Sequence, residues 1–453
     1  MKYFLSWAVA LSIYGGLAGA EGVRLATFQA DVTPPLGAPL CGGAVKPAEK
    51  IDDPLGARGL VLLVEGQAPI VLFAVDWVGI ANSGWDTWRE ALAGAAGTSA
   101  ERVAVQTLHQ HDAPSCDFDT EALLDAQGLG GTTFDVVFAR EAIQRTADAV
   151  KACLAQATPV TAVGFGQARV DQVASNRRVL GADGKVEHVR WTATKDPAVR
   201  ARGVGTIDPN VKVISFWNES KPLAVLSYYA THPQSHYGQG CVSADFVGMA
   251  RSLREQALRG VPHIHFNGAG GNISAGKYND GAPENRPVLA RRLAEGMRRA
   301  WEATERMPLG PSDVGWIVAR VSMPVRTEVS LEHEEQVLRD VNAPSAAREQ
   351  AANEVAWIKR AEQGDETCLS ALRLGSVYVL HMPGELFVEY QLAAQSMRPE
   401  AFVAMAAYGD YGPGYIGTAE AYPQGGYETG VYVSRTAPEV EEVLMAGMRK
   451  LLE

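Results

Sequence analysis

Cysteine is scarce in this sequence: five residues in 453, at Cys41, Cys116, Cys153, Cys241 and Cys368, none in a CxxC spacing. A thiolate zinc ribbon or knuckle needs closely spaced pairs, so that class of site is excluded. The odd count leaves at least one thiol without a partner in the same chain. Positive charge is also short, with 41 Lys and Arg against 52 Asp and Glu and a formal charge of -11. Nucleic-acid binding depends on Lys and Arg neutralising phosphates, so a nucleic-acid partner is not expected. After the first twenty residues no run is apolar enough over about 20 residues to cross a bilayer. A basic amphipathic stretch of the kind that holds proteins at anionic membranes is missing, as are internal repeats and low-complexity linkers.

What the chain does have is apolar content: 47% hydrophobic and only 21% charged residues, enough for a large core. Lys2 precedes an apolar stretch over 4–17, and Ala18-Gly19-Ala20 supplies the small residues that a signal peptidase accepts. Residues 1–20 therefore read as a signal peptide cut before Glu21, which makes the mature chain secreted or periplasmic. The stretch is too short for a membrane anchor.

Alternation bounded by turn residues predicts strands over 23–32, 59–64, 70–75 and 103–108, with a hairpin at Glu65-Gly66-Gln67. Three- and four-residue spacing predicts helices over 83–96 and 134–157. Farther on, strands over 211–217 and 223–229 flank the turn Asn218-Glu219-Ser220, and helices follow over 246–259 and 287–304. A polar helix over 332–362, strands over 371–380 and 402–407 and a closing helix from Pro438 complete the series. The expectation is an α/β fold, a mixed β-sheet core flanked by helices, in one catalytic domain over 21–453. Chemistry-bearing residues fall at the ends of predicted strands, where α/β sheets place their sites.

Histidine is rare, nine in all, yet six fall in three short segments. His109 and His111 follow a predicted strand two residues apart, so both would face one side. Imidazole is a common zinc ligand, and such a pair can also be two satisfied histidines. His232 ends another strand before Pro233, which fixes the backbone as it leaves. His236 would meet it only in a helix that Pro233 and Gly238 oppose. His263 and His265 read as buried strand residues leading into the loop Asn267-Gly268-Ala269-Gly270-Gly271-Asn272-Ile273-Ser274, whose glycines would let backbone N–H groups approach an oxyanion or polar substrate group. The loop is neither a Walker loop nor GxGxxG. Glu385 closes an apolar strand at a Pro-Gly turn. Read alone, such a residue is more often an acid favoured at a helix start.

Seven segments in order resemble the neutral, non-lysosomal ceramidase family: Ala30-Asp31-Val32-Thr33-Pro34-Pro35-Leu36-Gly37, His109-Gln110-His111-Asp112-Ala113-Pro114, Ser175-Asn176-Arg177, Ala230-Thr231-His232-Pro233, Gly271-Asn272-Ile273-Ser274, Pro383-Gly384-Glu385, and Gly414-Tyr415-Ile416-Gly417-Thr418 through Gly426-Tyr427-Glu428. The resemblance runs from about residue 23 to 427. It implies a zinc ion (Zn2+) held by His109, His232, Glu385 and Tyr415. It also implies that His111, Arg177, Ser274 and Tyr427 surround the substrate amide, with Asn176, Asn272 and Asp112 as substrate-binding neighbours from the same motifs. The family's HTHSGP is here His109-Gln110-His111-Asp112-Ala113-Pro114, so Asp112 adds a carboxylate beside the metal. The immunoglobulin-like C-terminal domain of the family has no counterpart in this sequence.

The implied activity is zinc-dependent hydrolysis of an N-acyl amide, either ceramide or another small-molecule or lipid amide, by zinc-activated water. Two other readings compete. One is a serine-type hydrolase using Ser274, although Gly-Asn-Ile-Ser-Ala-Gly is not the GxSxG elbow. The other is a non-catalytic ligand-binding protein on the same fold.

Overall fold

A computed structural model describes residues 22–453. The segment expected to be a signal peptide, 1–20, lies outside the described residues. Three mixed sheets dominate, and they share one design. The first, in spatial order, is Val103–Thr107, Ile70–Val75, Gly56–Val64, Val23–Asp31 and Thr158–Pro159. The second is His263–Asn267, Lys221–Tyr229, Asn210–Asn218, Ala162–Arg169 and Glu305–Pro308. The third is Val314–Val321, Thr367–Leu374, Val377–His381 and Phe402–Ala406.

Most neighbours within these sheets are antiparallel, but each sheet has one parallel pair at an edge: Ile70–Val75 with Val103–Thr107, Lys221–Tyr229 with His263–Asn267, and Val377–His381 with Phe402–Ala406. Parallel neighbours need crossover connections, which cover both faces with other elements. Ile70–Val75 is accordingly buried at every position. Helices Asn82–Ala96 and Val136–Cys153 cover the first sheet, Asp245–Ala257 and Asn285–Glu302 the second, and Val440–Leu452 the third. Trp77, Trp88 and Phe73 are fully buried together on the first sheet, with ring centroids 5.1–5.5 Å apart. Truncating a core aromatic of this kind costs about 3–5 kcal/mol.

Several expectations are met almost to the residue, and two are corrected. The polar helix over 332–362 is two helices, Leu331–Arg339 and Ser345–Glu362; Pro344, which cannot continue a helix from its N-terminal side, precedes the second. The strand over 371–380 is two strands reversing at Gly375, whose φ of 61° suits only glycine well. His109 and His111 follow the edge strand and converge as expected, although pairing already ends at Thr107 and His109 leaves it with a left-handed φ of 68°. All five cysteines are free thiols, and no helix among the described residues is long and apolar enough to cross a membrane.

Candidate metal centre

Each sheet delivers one side chain to a common point at the C-terminal end of its parallel pair. His109 follows Val103–Thr107, His232 follows Lys221–Tyr229, and Glu385 follows Val377–His381. The three ligand-capable atoms lie within 4.8 Å of one another and all three residues are buried. Glu385 Oε2 is 2.8 Å from His232 Nε2 and 3.2 Å from His109 Nε2.

The tautomers follow from the other ring nitrogens. His109 Nδ1 donates to Val78 O at 2.7 Å, and His232 Nδ1 donates to Gly270 O at 2.7 Å and Ile273 O at 2.9 Å. A carbonyl oxygen only accepts, so each Nδ1 carries the proton and each Nε2 presents a lone pair inward. Glu385 Oε2, facing both, has no hydrogen-bond donor. Three lone-pair atoms converge with no proton of their own between them, an arrangement that repels itself unless a cation sits there. Two imidazoles and a carboxylate are a catalytic zinc donor set in kind and number, with the backbone carbonyls fixing the rings from behind. The cluster could hold a metal ion.

The surroundings hold this geometry in place. Tyr411 donates to Glu385 Oε1 at 2.5 Å. Glu385 does not start a helix: it pairs with Tyr415 in a short parallel ladder, which sets Tyr415 beside the cluster. Tyr415 Oη lies 3.1 Å from His232 Nε2 and accepts from Arg177 Nη1 at 3.2 Å. Burial pushes the Tyr415 phenol pKa up, and Arg177 opposes that shift. Arg177 in turn is paired with Glu428 at 2.8 Å. The left-handed backbone at His109, which costs a non-glycine residue about 1–3 kcal/mol, is held by His109 N donating to Trp77 O and by Gln234 Nε2 donating to His109 O, both at 2.8 Å.

The glycine-rich loop does something other than cradle a substrate. Gly268 N–H donates to Tyr229 O and Gly271 N–H to Leu386 O. A Cβ on Gly271 would stand 2.1 Å from Glu385 O. The glycines let this loop fit between Ala230-Thr231, just ahead of His232, and Glu385-Leu386, so they bring two sheets close enough to share one ion.

The remaining candidates divide into two groups. His111 and Tyr427 line a cavity of about 320 Å³ together with His109, Glu385, Tyr411 and Tyr415. His111 Nε2 is 3.3 Å from His109 Nε2, and Tyr427 stacks edge-on against Tyr415 at 5.7 Å. The other group is anchored away from the cavity. Ser274 Oγ donates to Arg190 O at 2.9 Å and is fully buried, and no histidine is among its hydrogen-bond partners. An activated serine needs such a base. Asn176 and Asn272 border a separate cleft of about 520 Å³, and Asn272 spends its side chain on Glu389 and on Val388 N–H. Asp112 accepts from Gly238 N–H at 2.8 Å, and burial raises its pKa to about 6. Tyr411 was not singled out from sequence; it lies between the Glu385 and Tyr415 motifs with no pattern of its own.

No protein-family model matches the sequence, and no curated protein sequence matches it either. The fold does have solved counterparts. A neutral ceramidase from Pseudomonas aeruginosa aligns with a TM-score of 0.68 over 95% of this chain and 75% of its own, at 17% identity. The fold is neutral ceramidase-like. A ceramidase complexed with C2 aligns equally well, with a TM-score of 0.68 over 95% of this chain at 16% identity. In the neutral ceramidase-like fold of the present chain, the buried His-His-Glu cluster sits where the three parallel edges converge.

Proposed function

We propose that the chain is an exported zinc-dependent amidase that hydrolyses the C–N bond of an N-acyl amide. The observation that carries the reading is the convergence of two imidazole lone pairs on an unpartnered carboxylate oxygen, open to a cavity on one side. Zinc would be held by His109, His232 and Glu385, with Tyr415 as a fourth ligand that Arg177 helps to ionise. When bound, the ion supplies a Lewis acid for the amide carbonyl and lowers the pKa of water toward 7. The likeness to ceramidases supports the amide bond as the target, and the apolar stretch over 4–17 supports export.

The other residues act on proton and charge. His111 Nε2 reaches the centre without being needed as a ligand, so it moves a proton to the departing amine nitrogen. Tyr427, half exposed at the cavity edge, donates its phenol O–H to the oxyanion that develops on the former carbonyl oxygen. Arg177 is locked by Glu428, which fixes its Nη1 beside Tyr415 Oη and His232 Nε2.

The test is amine release from a panel of N-acyl amides. Chelation should abolish it and zinc should restore it. Turnover that survives full metal removal, or that a serine-directed acylating reagent blocks, would reject the zinc reading.

A further inference from the structure

Four aromatic side chains are exposed among the described residues: Trp191 at 47%, Tyr237 at 40%, Tyr427 at 42% and Tyr432 at 48%. All four surround one opening. Tyr427 and Tyr432 line the metal cavity. Trp191 packs on Tyr427 with ring centroids 5.0 Å apart, and Tyr427 packs on Tyr415 at 5.7 Å. On the other side Tyr237 packs on His111 at 4.5 Å, and His111 on His109 at 5.0 Å. A chain of two ring contacts thus leads outward from the ligand cluster along each wall and ends in an exposed ring. Both ends are fixed from behind. Asp112 accepts from Gly238 N–H next to Tyr237, and Ser274 Oγ donates to Trp191 O at 3.3 Å.

The cavity inside this collar is a poor place for a chain of methylenes. Its aliphatic lining amounts to Val78, Val433 and small residues, with no leucine, isoleucine or methionine. Asp117, Gln350 and Asn353 add polar groups to its lining. A long acyl chain would need an extended apolar groove to gain the free energy of burial. Exposed tyrosine and tryptophan rings offer the opposite: a large, rigid apolar face with a polar edge, one ring deep.

We infer that the Trp191, Tyr427 and Tyr237 collar is the specificity site for the substrate's apolar arm. It gathers the few carbons next to the scissile amide while the hydrophilic portion meets the polar groups of the cavity. The inference rests on the amidase reading and deepens it: the substrate class is an N-acyl amide with a hydrophilic amine and a short or single-ring acyl group. Carbons beyond the depth of the collar meet water and add nothing to recognition.

The experiment uses the zinc-loaded chain and N-acyl ethanolamines with acetyl, butanoyl, hexanoyl and dodecanoyl groups, following ethanolamine release. Four added methylenes, partly covered, should raise kcat/KM by about tenfold from acetyl to hexanoyl, after which the value should change by less than about threefold to dodecanoyl. Trp191→Ala should collapse the hexanoyl-to-acetyl ratio toward one, chiefly through KM, and Trp191→Phe should retain most of it. The side chain is half exposed, so both variants should fold as the parent does, which matching thermal unfolding would verify. An unbroken rise from hexanoyl to dodecanoyl, or a ratio untouched in Trp191→Ala, overturns the inference and leaves the amidase standing. Absence of hydrolysis across the whole series removes both.

Discussion

His232 Nε2 lies 2.8 Å from Glu385 Oε2 while His232 Nδ1 is committed to Gly270 O at 2.7 Å, so the ring can offer the carboxylate a lone pair and no proton. Replacing His232 by Ala removes one of three converging donors. Metal analysis of the purified variant should fall from one zinc per chain toward zero. Chelator should lower the melting temperature of the parent and leave that of the variant unmoved. Parent-like zinc content in His232→Ala would take His232 out of the ligand set.

Tyr411 holds Glu385 Oε1 at 2.5 Å and leaves Oε2 for the imidazoles. Partners behind a ligand typically contribute about 10–100-fold to metal affinity. Tyr411→Phe keeps the ring packed at 5.5 Å from His109 and deletes only the donor. Competition with a zinc chelator should show a loss in that range. Equal affinity in the variant would mean that packing alone orients the carboxylate.

His111 reaches the cluster from the cavity side, and its Nε2 stands 3.3 Å from His109 Nε2. With its role in proton transfer, His111→Ala should retain the metal and lose about 10² to 10⁴ in kcat. If the variant instead sheds zinc as readily as His109→Ala, both histidines are ligands and the proton carrier lies elsewhere.

The sheet strands, most helices and the seven ordered motifs were legible because each rests on local pattern: alternation, helical spacing, a Pro-Gly turn. The same locality explains what was not legible. The left-handed φ at His109 is imposed by contacts from Trp77 and Gln234, one far ahead and one far behind in the chain. The glycine loop reads from sequence as a substrate cradle, and only the assembled sheets show Gly271 against Glu385 O. Ser274 belongs to a motif that resembles a ceramidase's, yet its hydroxyl is hydrogen-bonded to the backbone carbonyl of Arg190, which no spacing predicts. Tyr411 and the exposed aromatic collar are similarly invisible, because their members come from separate loops that meet only at the cavity.

Two histidines away from the centre make the fold sensitive to acid. His265 and His381 are buried, each has an Nε2 with no partner, and burial depresses each pKa from 6.5 to about 3. The unfolded chain therefore binds more protons than the folded one between those limits. Their contribution is fully present above pH 6.5 and is lost as pH falls toward 3. At pH 5 each should cost about 2 kcal/mol relative to pH 7.5. Asp112 and Asp410 work the other way: burial raises each to about 6, so the folded state gains stability as pH falls from 6 toward 4 and part of the histidine loss is offset. Comparing single variants with the parent separates the two effects. In urea unfolding at pH 7.5 and 5.0, His381→Leu should lose about 2 kcal/mol less than the parent between the two pH values, whatever its absolute stability. An identical pH dependence in parent and variant would mean that His381 gains a proton partner or solvent access on acidification, and that its burial carries no acid penalty.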